Sequence, residues 1–131
     1  MKKVIALAAM PLALSACAAQ TLETGVAPAA SFSPLERPGR VFASPRMIAE
    51  HYLASAGRDE PSEMQVGNYP GGSGDRLMLF TAEGLEDDSV EAMQWRVVID
   101  QTDIGLRVIS AGVRQRCARS GSDEWTNTPC P

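Results

Sequence analysis

The chain has 131 residues and a formal net charge of −4 at pH 7, from 12 basic and 16 acidic residues. This acidic balance argues against a nucleic-acid binder, which would show a basic face, and against a polybasic patch that attracts anionic lipid. A chain of this length is expected to form one small domain.

Residues 1–16 have the pattern of an export signal. Lys2 and Lys3 precede a short run of Val, Ile, Ala, Leu and Met, and small residues follow before Cys17. A charged start, an apolar middle and a small-residue end are typical of a secretory signal peptide. The apolar run is far shorter than the ~20 residues of a membrane-spanning helix, so we expect a cleaved signal peptide.

The end of this signal, Leu14-Ser15-Ala16-Cys17, resembles the lipobox of bacterial lipoproteins. The resemblance implies a diacylglycerol on the sulfur of Cys17, cleavage before Cys17, and usually N-acylation, as with palmitate. Two or three acyl chains hold a protein at a membrane, whereas one chain anchors only marginally. Because Ala18 and not aspartate follows Cys17, the resemblance favours the outer membrane, facing the periplasm. An ordinary secretory signal with a chance cysteine is the alternative.

Residues 17–43 are predicted to form the lipidated N-terminus and a tether. They are rich in Ala, Pro, Ser, Thr and Gly, and no period of 2 or 3.6 persists through them. Removal of the signal takes away both lysines, so ten arginines and sixteen acidic residues leave a formal charge of −6. Four hydrophobic residues leave open that the last part of the tether packs on the domain: Phe32, Leu35, Val41 and Phe42.

The following domain, residues 44–131, opens with the clearest element of the chain. Ser44 can cap a helix, Pro45 suits its first position, and Gly57 suits a left-handed end. Between them, apolar residues recur at spacings of three and four, which predicts a helix over residues 45–56. These apolar residues are Ile48, Ala49, Tyr52, Leu53 and Ala56.

Four strands are predicted after the helix. Residues 64–69 form a short strand and residues 76–82 a central strand, joined by a Gly-rich turn. Residues 93–100 and 106–116 form an antiparallel hairpin, in which Gly112 indicates a bulge or a close backbone approach. We therefore expect an α+β fold, with one N-terminal helix packed on a three- to four-stranded antiparallel sheet and a polar C-terminal loop.

Cys117 and Cys130 are the two cysteines left once Cys17 takes a lipid. An even pair in an oxidising compartment predicts a disulfide, which closes the C-terminal loop. A zinc site is the alternative, but with one histidine in the chain it would need carboxylates to complete it. Closure of so short a loop is expected to stabilise the domain by about 3 kcal/mol.

Candidate catalytic and metal-binding residues are few. His51 has no marked nucleophile beside it, and we interpret it as a surface histidine. The acidic residues around Asp87 and Asp88 lack the spacing of a calcium loop, so a loop with a capped turn is favoured. The run Gly71-Gly72-Ser73-Gly74 precedes a strand and not a helix, which indicates a hairpin joint and not a phosphate site. We expect no catalytic residue, no metal and no cofactor.

Arg114, Arg116 and Arg119, together with Trp125, are the best candidates for a partner-binding surface. Arg114 and Arg116 share one strand face by the period of two, and Arg and Trp dominate interface hot spots. An arginine can also stack on an indole. The alternative is that these arginines pair with the acidic loop and stack on Trp125 within the fold.

The domain contains several segments in a fixed order: Gly84-Leu85-Glu86-Asp87-Asp88-Ser89-Val90, a strand with Trp95, Ala111-Gly112, Arg116-Cys117, Trp125, and a terminal Cys130-Pro131. In this order it resembles a group of small uncharacterised proteobacterial envelope proteins. The resemblance supports the disulfide and the hairpin, and it implies no activity.

These features predict a cell-envelope lipoprotein whose domain is non-catalytic and binds an envelope protein or has a structural role. A lipoprotein inhibitor of a hydrolase such as lysozyme is the alternative, because small disulfide-bonded β-rich lipoproteins suit that task. A small enzyme would need His51 with Asp87 or Asp88, the only pair available for such chemistry.

Overall fold

The computed structural model describes residues 28–69 and 74–131. The predicted signal peptide, the lipid-bearing Cys17 and the first part of the tether therefore lie outside the described residues, as do Gly71, Gly72 and Ser73 of the predicted turn. Within the described residues, no helix is long and apolar enough to cross a membrane.

In this part of the chain the fold is mostly one antiparallel sheet of seven strands. The strands are β1 (Ser33–Leu35), β2 (Val41–Phe42), β3 (Glu63–Asn68), β4 (Arg76–Ala82), β5 (Val90–Thr102), β6 (Gly105–Cys117) and β7 (Trp125–Thr126). Strands β3 to β6 lie side by side in chain order. The short strands β1, β2 and β7 all pair with β6.

The predicted α+β fold, with a helix on a three- to four-stranded sheet, is wrong: the described chain is a seven-stranded sheet with one short helix. The prediction locates the four long strands and misses the three short ones, because two or three residues cannot show an alternating pattern. β1 and β2 come from the range assigned to the tether, and β7 from the predicted C-terminal loop. The missed strands cover the edge of β6, whose backbone groups would otherwise be unpaired.

The helix of the described chain, α1 (Pro45–Leu53), continues into a 3-10 turn over Ala54–Ala56. Ser44 caps it, since its Oγ accepts a hydrogen bond from the backbone amide of Met47 at 3.3 Å. Gly57 follows in the left-handed conformation, with a φ of 69°. The helix predicted over residues 45–56 is therefore confirmed as a helix and its terminal turn.

The hydrophobic core lies between α1 and one face of the sheet, which we call the helix face. Phe80 and Trp95 stack at its centre on β4 and β5, with ring centroids 5.3 Å apart. The core also takes in the apolar stripe of α1, one residue of β2 and further residues of β4, β5 and β6: Phe42, Ile48, Ala49, Tyr52, Leu53, Met78, Ala82, Val97, Ile99, Leu106 and Val108.

Alternation along β4, β5 and β6 turns every second residue to the opposite face of the sheet. The chain before β1 lies against this face, where Phe32 is buried beside Gly112. A Cβ on Gly112 would come within 2.7 Å of the Phe32 Cβ, so this glycine marks a close backbone approach. The two register shifts of the hairpin do not involve Gly112: they lie between Val90 and Ala92 and between Val98 and Ile99 of β5.

The predicted disulfide between Cys117 and Cys130 is confirmed, with the two Cα atoms 5.4 Å apart. It ties the end of β6 to the C-terminal segment, 13 residues further along the chain. β7 lies between the two cysteines and begins with Trp125, which pairs in register with Arg116 of β6. The bridge therefore helps to hold Trp125 beside β6.

Candidate functional site

A row of polar side chains crosses three strands on the face opposite α1. Gln94 of β5 donates from Nε2 to Thr81 Oγ1 of β4 at 3.2 Å. Its Oε1 accepts from Arg114 Nε of β6 at 2.8 Å. Polar groups linked in such a network fix one another's orientation when they are buried, as Thr81 and Gln94 are here. The row therefore holds Arg114 in one geometry.

Arg114 also lies between two aromatic rings. Its guanidinium carbon is 4.7 Å from the ring centroid of Phe32 and 5.3 Å from that of Trp125. Burial lowers the pKa of Arg114, because a desolvated guanidinium is less favourable in its charged form. Both rings attract the cation and restrict a side chain that would otherwise be flexible.

Arg116 is held by two carboxylates. Its Nη2 lies 2.5 Å from Oε2 of Glu83, and its Nε lies 3.1 Å from Oε2 of Glu91. Its guanidinium carbon is also 5.1 Å from the ring centroid of Trp125. The hydrogen bond to Glu91 raises the pKa of Arg116, with a smaller contribution from Glu83. Arg116 therefore stacks on Trp125 within the fold, as the alternative interpretation expects, but its carboxylate partners are Glu83 and Glu91 and not the acidic residues around Asp87 and Asp88.

The structure thus brings together three of the four residues predicted to form a binding surface: Arg114, Arg116 and Trp125. The fourth, Arg119, lies in the exposed turn that follows Cys117. The three arginines differ in their surroundings: Arg114 and Arg116 contact other side chains of the fold, whereas Arg119 is exposed to solvent.

Arg96 is a further residue of this face, and its sequence context does not mark it as a site residue. It is only 9% exposed, and its Nε is buried without a hydrogen-bond partner. It takes part in none of the ion pairs of the described residues. Its guanidinium carbon lies 5.7 Å from the ring centroid of Tyr69. In the sequence, Arg96 stands between Trp95 and Val97. The period of two assigns it to the polar face of the strand, where an arginine is expected.

A cleft of about 330 Å³ opens beside Arg96. Gly112 stands opposite Arg96 in the register of β5 and β6, so β6 contributes no side chain at this point. The walls come from the chain around β1 and from β6, and they are mainly apolar. The lining includes Ala29, Ala30, Phe32, Pro34, Ser110 and Gly112.

His51 is exposed and makes aromatic contacts. Its ring packs edge-on against Phe42 and Tyr52, with centroid distances of 5.6 and 5.1 Å. The Tyr52 hydroxyl donates to the backbone oxygen of Glu36 at 3.4 Å, and burial raises the pKa of Tyr52 to about 12. A hydroxyl with a raised pKa is a weak nucleophile at neutral pH. These contacts give His51 no activated partner.

Asp87 caps a turn before β5, as the favoured interpretation of the acidic loop expects. Its Oδ1 accepts hydrogen bonds from the backbone amide and the hydroxyl of Ser89, at 2.8 and 2.9 Å, and from the Val90 amide at 3.0 Å. These bonds lower the pKa of Asp87, because they stabilise the carboxylate. Across residues 28–69 and 74–131, no group of three or more His, Cys, Asp or Glu side chains is placed to hold a metal ion.

The turn between β5 and β6 is the second notable surface feature. Ile104 at its tip is 82% exposed. Gly105 follows with a φ of 143°, where a Cβ would lie 2.7 Å from the backbone oxygen of Phe42. The Thr102 hydroxyl donates to the Gly105 backbone oxygen at 2.8 Å and so braces the turn. A groove of about 680 Å³ lies beside the tip and is lined in part by Arg37, Arg40 and Arg107.

Comparison of the chain with protein-family models, curated proteins and solved structures finds no match.

Proposed function

We propose that this chain is a lipid-anchored protein of the bacterial cell envelope, facing the periplasm from the outer membrane, and that its sheet domain is a non-catalytic binding module. We assign binding to the arginine–tryptophan surface, defined as Arg114, Arg116, Arg119 and Trp125. The observation that carries the proposal is the stacking of two arginines on one indole, on the sheet face that α1 leaves uncovered.

The proposed location has two supports. The lipobox resemblance at Leu14-Ser15-Ala16-Cys17 supports the anchor. The disulfide between Cys117 and Cys130 supports an oxidising compartment, since such bonds are rare in the cytoplasm. A tether of the composition seen before β1 would keep the domain within tens of ångströms of its membrane.

The internal contacts of the arginines support a binding role rather than oppose it. A long side chain that becomes ordered only on association loses rotamer freedom, which weakens binding. Here Phe32, Trp125 and the glutamates beside Arg116 order the two stacked arginines before any partner arrives. Arg119 remains exposed and available to an acidic group of a partner.

Metabolic labelling with an alkyne-tagged fatty acid tests the anchor. We expect the wild-type chain to carry the tag and to fractionate with the outer membrane, and Cys17→Ser to do neither. The double variant Cys117→Ser/Cys130→Ser is the matched control, because it removes sulfur at other positions and should keep the tag. Labelling that persists in Cys17→Ser would contradict the anchor.

Site-specific photo-cross-linking in intact cells tests the binding surface. A photoreactive residue at exposed position 124, next to Trp125, should give a discrete cross-linked product with an envelope protein. We expect Arg119→Glu to abolish the product, because it reverses the exposed charge of the surface. Arg46→Glu, on α1 beside Glu50 and Glu60, is the control and should retain it. The absence of any discrete product would count against a partner at this surface.

Inhibition of a hydrolase is a second candidate function, favoured by the turn between β5 and β6. Ile104 projects from a braced turn, and a rigid apolar tip is suited to enter the cleft of an enzyme. Lysozymes should then lose activity when they are assayed with the wild-type chain. They should keep their activity when they are assayed with the Ile104→Ser variant. Met47→Ser is the control, because Met47 is also an exposed apolar residue but lies on α1. Unchanged lysozyme activity with the wild-type chain would remove lysozyme as a target.

A further inference from the structure

Arg96 is a buried cation for which the described fold supplies no counterion. Its register neighbours are Leu79 on β4 and Gly112 on β6, and neither is acidic. Its Nε lacks a hydrogen-bond partner, whereas Arg116 on the same face contacts two glutamates. The guanidinium faces the ring of Tyr69 at 5.7 Å, which supplies no full negative charge. A charge in a buried position is unfavourable unless it is paired, so an anion is the partner that this position lacks.

The cleft beside Arg96 determines which anion would fit. At about 330 Å³ it is at the small end of the range for ligand pockets. Ala29, Ala30, Phe32 and Pro34 give it apolar walls, and Ser110 adds a hydroxyl. The site therefore combines one guanidinium with an apolar chamber.

We propose that Arg96 and this cleft bind a small amphiphilic monocarboxylate, with its carboxylate on the guanidinium and its apolar body against Phe32 and Pro34. The planar guanidinium fork matches a carboxylate in geometry and charge. A phosphate dianion would bring a second negative charge into a mainly apolar cleft, which is unfavourable. This inference rests on the proposed binding function and gives it a ligand class at a second place on the same sheet face.

Calorimetric titration tests the ligand class. The full chain is held in nanodiscs of zwitterionic lipid and titrated with hexanoate, and empty nanodiscs give the blank. Hexanol has the same apolar body without the charge, and inorganic phosphate has charge without the apolar body. We expect hexanoate to bind, with affinity for hexanol and for phosphate lower by about tenfold or more.

Two variants test the role of the residues. Arg96→Met keeps an unbranched side chain and removes the charge, so it should abolish hexanoate binding and raise the midpoint of thermal unfolding of the unliganded chain. Arg46→Met removes an exposed arginine and should change neither property. Ala30→Leu narrows the cleft and leaves the guanidinium intact, so it should weaken hexanoate binding without affecting the unfolding midpoint.

Several outcomes would overturn the proposal. Equal binding of hexanol would show an apolar cleft without charge recognition, and equal binding of phosphate would show an anion site without apolar selectivity. Arg96→Met that lowers the unfolding midpoint and still binds hexanoate would assign the arginine a structural role. Labelling of Cys17 and cross-linking from position 124 do not involve Arg96, so they distinguish failure here from failure of the proposed function.

Discussion

The helix face and the opposite face of the sheet differ in chemistry although they share the same strands. On β5, Trp95 is 1% exposed and packs in the core under α1, while its neighbours Gln94 and Arg96 belong to the opposite face. The helix face is closed by apolar packing. The opposite face, which we call the arginine face, carries a hydrogen-bonded row, stacked arginines and a cleft.

This difference separates the source of stability from the source of recognition. Apolar contacts of the helix face are numerous. Each one stabilises the fold only slightly, but a large side chain makes many of them, so its loss removes much of the folding free energy. Contacts of the hydrogen-bonded row on the arginine face are few, polar and directional. A change in this row should therefore alter geometry more than stability.

The largest effect is expected from Trp95→Ala on the helix face. Removal of this buried indole, which stacks on Phe80, should lower the free energy of unfolding by about 3–5 kcal/mol. Gln94→Ala, one residue away on the arginine face, should cost about 1–2 kcal/mol, because it breaks the hydrogen bonds to Thr81 and Arg114. Urea unfolding of both variants measures the difference.

Trp95→Phe provides a graded control for the same position. It keeps an aromatic ring and should lose clearly less stability than Trp95→Ala. Equal losses at positions 94 and 95 would contradict the assignment of stability to the helix face.

The disulfide links the end of β6 to the C-terminal segment, and its loss should have the next largest effect. Cys117→Ala/Cys130→Ala should lower the free energy of unfolding by about 3 kcal/mol, because the unfolded chain is no longer constrained by the closed loop. Trp125 should also become more accessible to acrylamide, while Trp95 stays protected. Fluorescence quenching in Trp125→Phe and Trp95→Phe backgrounds separates the two indoles. Unchanged quenching of Trp125 would show that β7 holds its position without the bridge.

Gly112→Ala tests the link between the arginine face and the chain before β1. The new Cβ would lie 2.7 Å from the Phe32 Cβ, so Phe32 must move away and Arg114 loses one of its two rings. We expect a loss of about 1–3 kcal/mol, measured by thermal or urea unfolding. Gly39→Ala is the matched control, because a Cβ there meets nothing within 4 Å. An equal effect of the two substitutions would rule out the close packing of Phe32 as the cause.

The predictable part of the fold is the part with long periodic patterns. The helix at residues 45–56 follows from Ser44, Gly57 and an apolar stripe, and β4 has the predicted bounds of residues 76–82. β1 and β2 were not predictable, because their residues form strands only through pairing with β6. Such pairing depends on contacts distant in sequence, which no local pattern encodes.

The candidate site was predictable in its members and not in its contacts. Arg114 and Arg116 share a face as the period of two requires, but the sequence does not say that Phe32, far upstream, packs against Arg114. The role of Arg96 was not predictable for the same reason. Its significance comes from burial and from the missing partner, and both are properties of the assembled sheet.

The smallest expected effect concerns a polar group of α1 at the edge of the core, the Tyr52 hydroxyl. Burial raises its pKa from 10.0 to about 12, so the unfolded chain releases this proton at lower pH than the folded chain does. Below pH 10 both states keep the proton and the stability is fully present. Between pH 10 and pH 12 only the unfolded state ionises, so the free energy of unfolding should fall, by an amount on the order of 1 kcal/mol after solvent screening.

Tyr52→Phe isolates this contribution, because the other groups that titrate at alkaline pH are common to both chains. The difference in unfolding free energy between wild type and variant should be constant up to pH 10 and should then shift in favour of the variant. Urea unfolding at pH 8, 10 and 11.5 measures it. A difference that does not change with pH would mean that the hydroxyl reaches water in the folded state. The helix face would then be less completely closed than its apolar packing implies, and the contrast with the arginine face would be correspondingly weaker.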